Sequence, residues 1–304
     1  MPEIIIDARE AQISESMKVR RILPFRKKRM VGPFTFLDHG GPIDHPPVPI
    51  SKMDVAPHPH IGLATVTYLI EGQVTHRDSI GVEQIIKPGE VNWMTAGKGI
   101  SHSERFEDPA NLAGGLEMLQ TWVALPEDKE EVEPSFNNYP AGELPVYTDK
   151  GIWMRLIAGN AYGLRNQVAT LSPLFYLHSK IDQGVKFELP KEHSERAVYI
   201  VRGEIEVNHQ KYGSGQMIVF NEGETPNLKA GADAEIMLLG GEPLGERYIW
   251  WNFVSSRKER IEQAKEDWRQ GRIALPQLDN EEYIPLPEDR FKLKNQGPEP
   301  GPLS

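Results

Sequence analysis

Apolar and polar positions alternate in short runs along most of the chain. Between 60 and 70, Ile61, Thr65, Val66, Thr67, Tyr68 and Leu69 suit a strand, Glu71-Gly72-Gln73 reads as a turn, and 74–79 returns. Lys87-Pro88-Gly89-Glu90 turns the chain into 91–95, and Gly97-Lys98-Gly99 bends it into 100–106. Upstream, 17–37 reads as short strands broken by Pro24 and Gly32-Pro33, and Asp38-His39-Gly40-Gly41-Pro42 with the prolines after it reads as a loop. The acidic, proline-containing stretch 126–147 reads as a linker or surface excursion, after which 174–178, 197–201, 205–208, 217–220 and 235–239 are again strand-like. This punctuation predicts an all-β sandwich or barrel. One helix is predicted, over 256–270: Ser256 and Glu259 fit a capping box, Ile261, Ala264 and Trp268 share a face, and Gly271 suits the position after the C-cap. The tail 276–304, with Pro285, Pro287, Pro298, Pro300 and Pro302, is expected to be irregular.

An internal repeat doubles this pattern. TYLIEGQV (67–74) aligns with VYIVRGEI (198–205) at an offset of 131, pairing Tyr68 with Tyr199 and Gly72 with Gly203. PGEVNWMTAG (88–97) aligns with SGQMIVFNEG (214–223) at an offset of 126, pairing Gly89 with Gly215 and Gly97 with Gly223. Two similar β domains in tandem follow, 1–140 and 141–304.

Only the first copy carries chemistry. His58-Pro59-His60 and His102-Ser103-Glu104 are both i, i+2 pairs, and on a strand that spacing puts both side chains on one face. Two such strands facing each other aim three imidazoles and one carboxylate at a single point, a donor set suited to a divalent first-row transition metal. The matched positions in the second copy are Leu189, Lys191, Leu228 and Ala230, so the four ligands His58, His60, His102 and Glu104 are no requirement of the fold. His193-Ser194-Glu195 lacks a mate and is expected to be surface polar. Alternation from His60 predicts an inner face of Gly62, Ala64, Val66, Tyr68 and Ile70, with small residues leaving room beside the metal; on the other strand Ile100, His102, Glu104 and Phe106 share a face. His76, just after the hairpin turn, is a candidate second catalytic group, either supporting a ligand or accepting a proton beside Glu104.

Composition narrows the class. The net charge of −10 argues against binding nucleic acid through phosphate neutralisation. Zero cysteines exclude disulfides and thiolate ligands. The longest apolar runs are strand-sized and MPEIIIDAREAQ contains no extended apolar stretch, so the expectation is a protein of the cytoplasm with no membrane contact. Basic residues gather at Lys18, Arg20, Arg21, Arg26, Lys27, Lys28 and Arg29, a strand edge or the contact site of a protein partner.

The segments VGPF (31–34), FLDH (36–39), HPHIGLATVTYLIEG (58–72), PGEVNWMTAGKGISHSE (88–104) and GGEPLGERYIWWNFV (240–254) resemble the pirin family. The resemblance spans roughly 17–272. It implies a bicupin, two tandem cupin barrels, whose N-terminal site holds iron on the positions of His58, His60, His102 and Glu104. The general cupin pattern takes a glutamate shortly after H-x-H; here that stretch reads Gly62-Leu63-Ala64, so the carboxylate comes from Glu104. Several bacterial pirins open flavonols such as quercetin with O₂ and release carbon monoxide, while eukaryotic members act as iron-dependent transcriptional co-regulators. The resemblance therefore implies Fe(II) with a flavonol-like substrate and O₂, or a redox-sensing regulator that meets its partner through 20–29. Ni, Mn, Co, Cu and Zn suit the same donors.

Overall fold

A computed structural model describes residues 2–289. Each half of the chain folds a large antiparallel sheet against a four-stranded one. In the first half the large sheet runs Ser135–Tyr139, Val91–Thr95, Leu63–Glu71, Leu116–Ala124, Phe34–Ile43, Lys18–Leu23, Arg9–Gln12. Its four-stranded mate runs Val55–His60, Ile100–Arg105, Val74–Asp78, Glu83–Ile86. The second half repeats the plan, with Lys186–Phe187, Leu228–Ala230, Glu204–Val207 and Gln210–Gly213 as its small sheet. The expected pair of barrels is present. One strand crosses the expected division at 140: Ile4–Asp7 pairs antiparallel with Gln216–Phe220 in the large sheet of the second barrel. Among the described residues no helix is long and apolar enough to cross a membrane.

The repeat turns have the geometry their glycines require. Gly72 and Gly203 both lie at φ +84°, a left-handed conformation that side chains with a Cβ avoid. Gly62, at φ +66°, has a different task. It takes the chain round a corner between the strands Val55–His60 and Leu63–Glu71, where a Cβ would meet the carbonyl oxygen of Val254.

That corner overturns the predicted inner face. Two residues, Ile61 and Gly62, fall outside both strands, so alternation restarts and the odd positions turn inward. Ala64, Val66 and Tyr68 pack instead between the two barrels, with Ala197, Tyr199, Val201, Met217, Val219, Met237 and Leu239 of the second. Leu63 and Leu69 join the clusters inside the first barrel. The paired tyrosines of the repeat thus meet across the interface rather than filling their own barrels.

Each tyrosine enters a buried polar chain there. The Tyr68 hydroxyl donates to His178 Nδ1 (2.9 Å), whose Nε2–H donates to Glu235 (2.7 Å). The Tyr199 hydroxyl donates to His39 Nδ1 (2.8 Å), whose Nε2–H donates to Glu117 (2.9 Å). Arg202 pairs with both glutamates and ties the two chains together. Burial lowers both histidine pKa values, so the imidazoles are neutral and each needs its donor.

Three other expectations are corrected. Asp38-His39-Gly40-Gly41-Pro42 lies within the ten-residue strand Phe34–Ile43, because Arg21 holds the Asp38 carboxylate and Tyr199 and Glu117 hold His39. The stretch 126–147 supplies the edge strand Ser135–Tyr139, paired with Val91–Thr95, and begins a hairpin at Val146–Asp149. Its Glu130 is buried, pairs with Arg247, and accepts from the Ser255 hydroxyl and the Ser256 N–H. The helix runs Lys258–Arg269 with Arg257 as its N-cap and no side-chain cap, since Ser256 is engaged by Glu130 and is not free to cap. Its buried Ile261, Ala264 and Trp268 and its terminal Gly271 (φ +68°) stand as predicted. The tail is irregular over 276–286; Pro298, Pro300, Pro302 and the rest of 290–304 lie outside the described residues.

Tyr68→Phe leaves His178 Nδ1 buried without its donor, and the expected cost is about 1–3 kcal/mol. Urea unfolding of Tyr68→Phe and Tyr199→Phe checks this, and each is expected to lower the midpoint while leaving metal content unchanged.

Candidate metal centre

Two neighbouring strands of the small sheet in the first barrel bring the histidines together. In the register of Val55–His60 against Ile100–Arg105, His58 lies opposite His102 and Ile100 opposite His60. A register shift after His102 sets Glu104 opposite Val55, and on its other side Glu104 lies opposite His76. The nitrogens that His58, His60 and His102 offer lie within 4.8 Å of one another, and all three residues are buried. Glu104 stands outside that group but lines the same cavity.

The outer nitrogen of each imidazole is spoken for. His58 Nδ1–H donates to the Ala56 carbonyl (3.0 Å) and His60 Nδ1–H to the Asn252 carbonyl (3.2 Å). A carbonyl only accepts, so in both rings Nε2 carries the lone pair. His102 Nδ1 meets His76 Nδ1 at 3.3 Å, and His76 Nε2 meets the Asp78 carboxylate at 3.0 Å. Since the carboxylate accepts, the proton order runs His102 Nδ1–H to His76, then His76 Nε2–H to Asp78, and His102 Nε2 is bare as well. Asp78 is itself fixed by the N–H groups of Ile80 and Val82, both at 3.0 Å.

His60 Nε2 and His102 Nε2 are buried and have no hydrogen-bond partner. Leaving such atoms unpaired costs about 1–3 kcal/mol each, and three lone pairs converging on one point fit a metal ion. Burial lowers the pKa of His58 to about 4 and those of His60 and His102 well below the ordinary value, so all three are neutral at pH 7, as ligands must be. Burial pushes the Glu104 carboxyl up to about 7. His76 is sealed behind His102, stacked on Phe136 with ring centroids 4.5 Å apart, and is not part of the cavity wall.

The cavity holds about 350 Å³. One wall is a ladder: the Arg21 guanidinium lies 4.7 Å over the Phe36 ring, Phe36 stacks on Trp122 at 3.9 Å, and Trp122 meets His60 edge-on at 5.2 Å. Arg21 is held to Asp38 by two hydrogen bonds of 2.8 and 2.7 Å. Gln120, tied to Thr67 at 2.8 Å, adds a polar patch, and Trp251, Asn252 and Ile284 close the cavity from the second half of the chain. In the sequence Arg21 figures only in a basic cluster, and Phe36, Asp38, Trp251 and Asn252 only within segments of the family resemblance; Gln120, Trp122 and Ile284 belong to no motif. Phe36 and Asp38 lie in a segment read as strands, turns and loop, and the contribution from 251–284 depends on a contact that no local pattern encodes.

Among the described residues the second barrel has no comparable set. Leu189, Leu228 and Ala230, at the positions matched to His58, His102 and Glu104, are packed into its apolar core, and Lys191 is exposed. His193, expected at the surface, is instead buried: its ring stacks on Phe175 at 5.8 Å and its Nδ1 meets Glu242 at 3.2 Å.

Comparison with known proteins agrees with both halves. The family model described as Pirin matches residues 16–123, and that of the Pirin C-terminal cupin domain matches 176–274. A pirin-like protein of Caulobacter vibrioides is 53% identical over 289 residues, covering 95% of this chain and all of its own length (100%). Human pirin is 31% identical, covering 86% of this chain and 90% of its own. The crystal structure of a quercetin 2,3-dioxygenase from Acinetobacter baumannii superposes with a TM-score of 0.83 at 32% identity, covering 93% of each chain.

His58→Ala and His102→Ala are expected to abolish metal content measured by elemental analysis, whereas His193→Ala leaves it at the parent level. His76→Ala removes the support behind His102 and is expected to weaken metal affinity by about 10–100-fold.

Proposed function

Because this chain belongs to the pirin family, we propose that it is a metal-dependent dioxygenase that opens a flavonol-like substrate with O₂. The observation that carries this reading is the meeting of three bare imidazole nitrogens with an aromatic-walled cavity of about 350 Å³. His58, His60 and His102 would hold one divalent metal, with Glu104 as the fourth ligand. Fe(II) is the metal proposed, and Ni, Mn, Co, Cu and Zn suit the same donors. A redox metal with open positions supplies the chemistry that O₂ needs with a chelating aromatic.

The remaining tasks belong to the protein. Phe36 and Trp122, already stacked on each other, offer flat faces to a planar ring, and Trp251 adds a third aromatic wall. Arg21 and Gln120 meet its polar substituents. Glu104, which lines the same cavity, would take the proton of a substrate hydroxyl. His76 touches no part of the cavity, so its role is to position His102.

A second reading, that of a metal- or redox-sensing regulatory protein, is favoured by the turn after Pro24. The basic segment divides there: Arg21 binds Asp38, Arg20 reaches Gly41, and Lys28 pairs with Glu3 and Glu195. Arg26, Lys27 and Arg29 stay exposed on a protein of net charge −10, a surface suited to an acidic protein partner.

Anaerobic reconstitution followed by oxygen uptake with quercetin separates the two readings. Uptake with at least one of Fe, Ni, Mn, Co and Cu is expected; silence with all five overturns the dioxygenase. Metal binding must also displace the Glu104 proton, whose raised pKa keeps it bound below about 7. Metal addition at pH 6 is therefore expected to release about one proton and at pH 8 almost none, with affinity rising up to about pH 7 and levelling above it. Glu104→Gln abolishes the release if Glu104 is a ligand.

A further inference from the structure

The metal cavity lies in the first barrel, yet one of its walls comes from the far end of the chain. After the helix, the segment 273–286 runs back over the ligand strand Ile100–Arg105. The Ser101 hydroxyl donates to the Ala274 carbonyl (2.6 Å). Arg105, next to Glu104, holds Asp279 through two hydrogen bonds of 2.6 and 2.8 Å and pairs with Glu282 at 3.0 Å. At Ile284 the backbone is pinned on both sides: its N–H donates to the Pro57 carbonyl (2.8 Å), and its carbonyl accepts from Trp268 Nε1 (3.0 Å). Leu286, fully buried, anchors the segment against Ile261, Ala264 and Trp268. The residue that this path delivers to the cavity, whose lining it shares with His58 and Glu104, is Ile284.

We propose that Ile284 is a specificity-determining residue, setting the size of ligand the metal cavity admits, and that 273–286 serves as a fixed strap holding it there. Phe36 and Trp122 are locked by stacking, and Val55 sits opposite Glu104 in the ligand sheet, so changing any of them disturbs the site. Ile284 is held by its backbone, in a segment that belongs to no sheet, and its side chain is purely aliphatic. In an apolar pocket one methylene discriminates by about tenfold or more, enough for this position to sort ligands by length.

The proposal rests on the cavity being the ligand site, and the experiment separates the two. Fe(II)-reconstituted protein is titrated without oxygen with quercetin and with the smaller 4-nitrocatechol. Ile284→Ala is expected to shift the affinity ratio about tenfold toward quercetin, and Ile284→Phe to shift it the other way, with metal content unchanged in both. The rate at which the small chelator bipyridine and the larger bathophenanthroline disulfonate strip the iron supplies a second size ratio, which needs neither catalysis nor a flavonol. It is expected to move in the same direction. If neither aromatic binds the parent protein, the dioxygenase reading falls, and the chelator ratio alone decides for or against Ile284. Folded, metal-loaded variants whose ratios stay at the parent value overturn the proposal.

Discussion

Three imidazoles with bare nitrogens facing one another out of water make an arrangement that a protein must enforce. Each ring would be better solvated elsewhere, and each could rotate to present its other nitrogen. What prevents this is a partner for every Nδ1, drawn from three separate places: Ala56 within the same strand, Asn252 from the second half of the chain, and the His76–Asp78 pair from the neighbouring strand. The site is thus defined less by the ligands than by the acceptors behind them. The corner at Gly62 belongs to the same constraint, because it ends the ligand strand and lets the next strand turn its even face to the other barrel.

The two barrels show what the fold demands and what the site adds. Both keep the glycine turns and both send a tyrosine across the interface to a histidine–glutamate pair. Where the first barrel collects His58, His102 and Glu104, the second packs Leu189, Leu228 and Ala230 into an apolar cluster. Polar convergence in the first barrel is therefore a local replacement of core by ligands on an otherwise common scaffold. The interface chains also show why a buried histidine is weak evidence of a site. His39 and His178 are as deeply buried as the ligands, yet both ring nitrogens of each are satisfied.

Much of this was legible in the chain. Strand punctuation and the 131-residue repeat convey the two barrels, and i, i+2 spacing brings out the histidines, because both signals are local and periodic. Side-chain direction after His60 was not legible, since two residues outside the strands reset the alternation. Nor was the role of Asp38 or Glu130, whose charges look like loop chemistry until Arg21 and Arg247 are found beside them. Ile284 and Asn252 escape for a different reason. Their importance comes from tertiary closure, which no spacing or periodicity in the residues around them encodes.

The ends of the described chain are exchanged between the barrels. Ile4–Asp7 completes the second barrel, and 273–286 walls the cavity of the first. Synthesis proceeds from one end, so a nascent chain that has emerged through Arg105 already holds every histidine ligand, but not Asn252 to orient His60, nor the strap. Its first strand meanwhile waits for a partner more than 200 residues away, Ile4 with Val219. The first strand stays unpaired until Val219 has been made, and the cavity stays open until Asn252 and Ile284 have followed; during that interval the ligand sheet is exposed to whatever else is in solution.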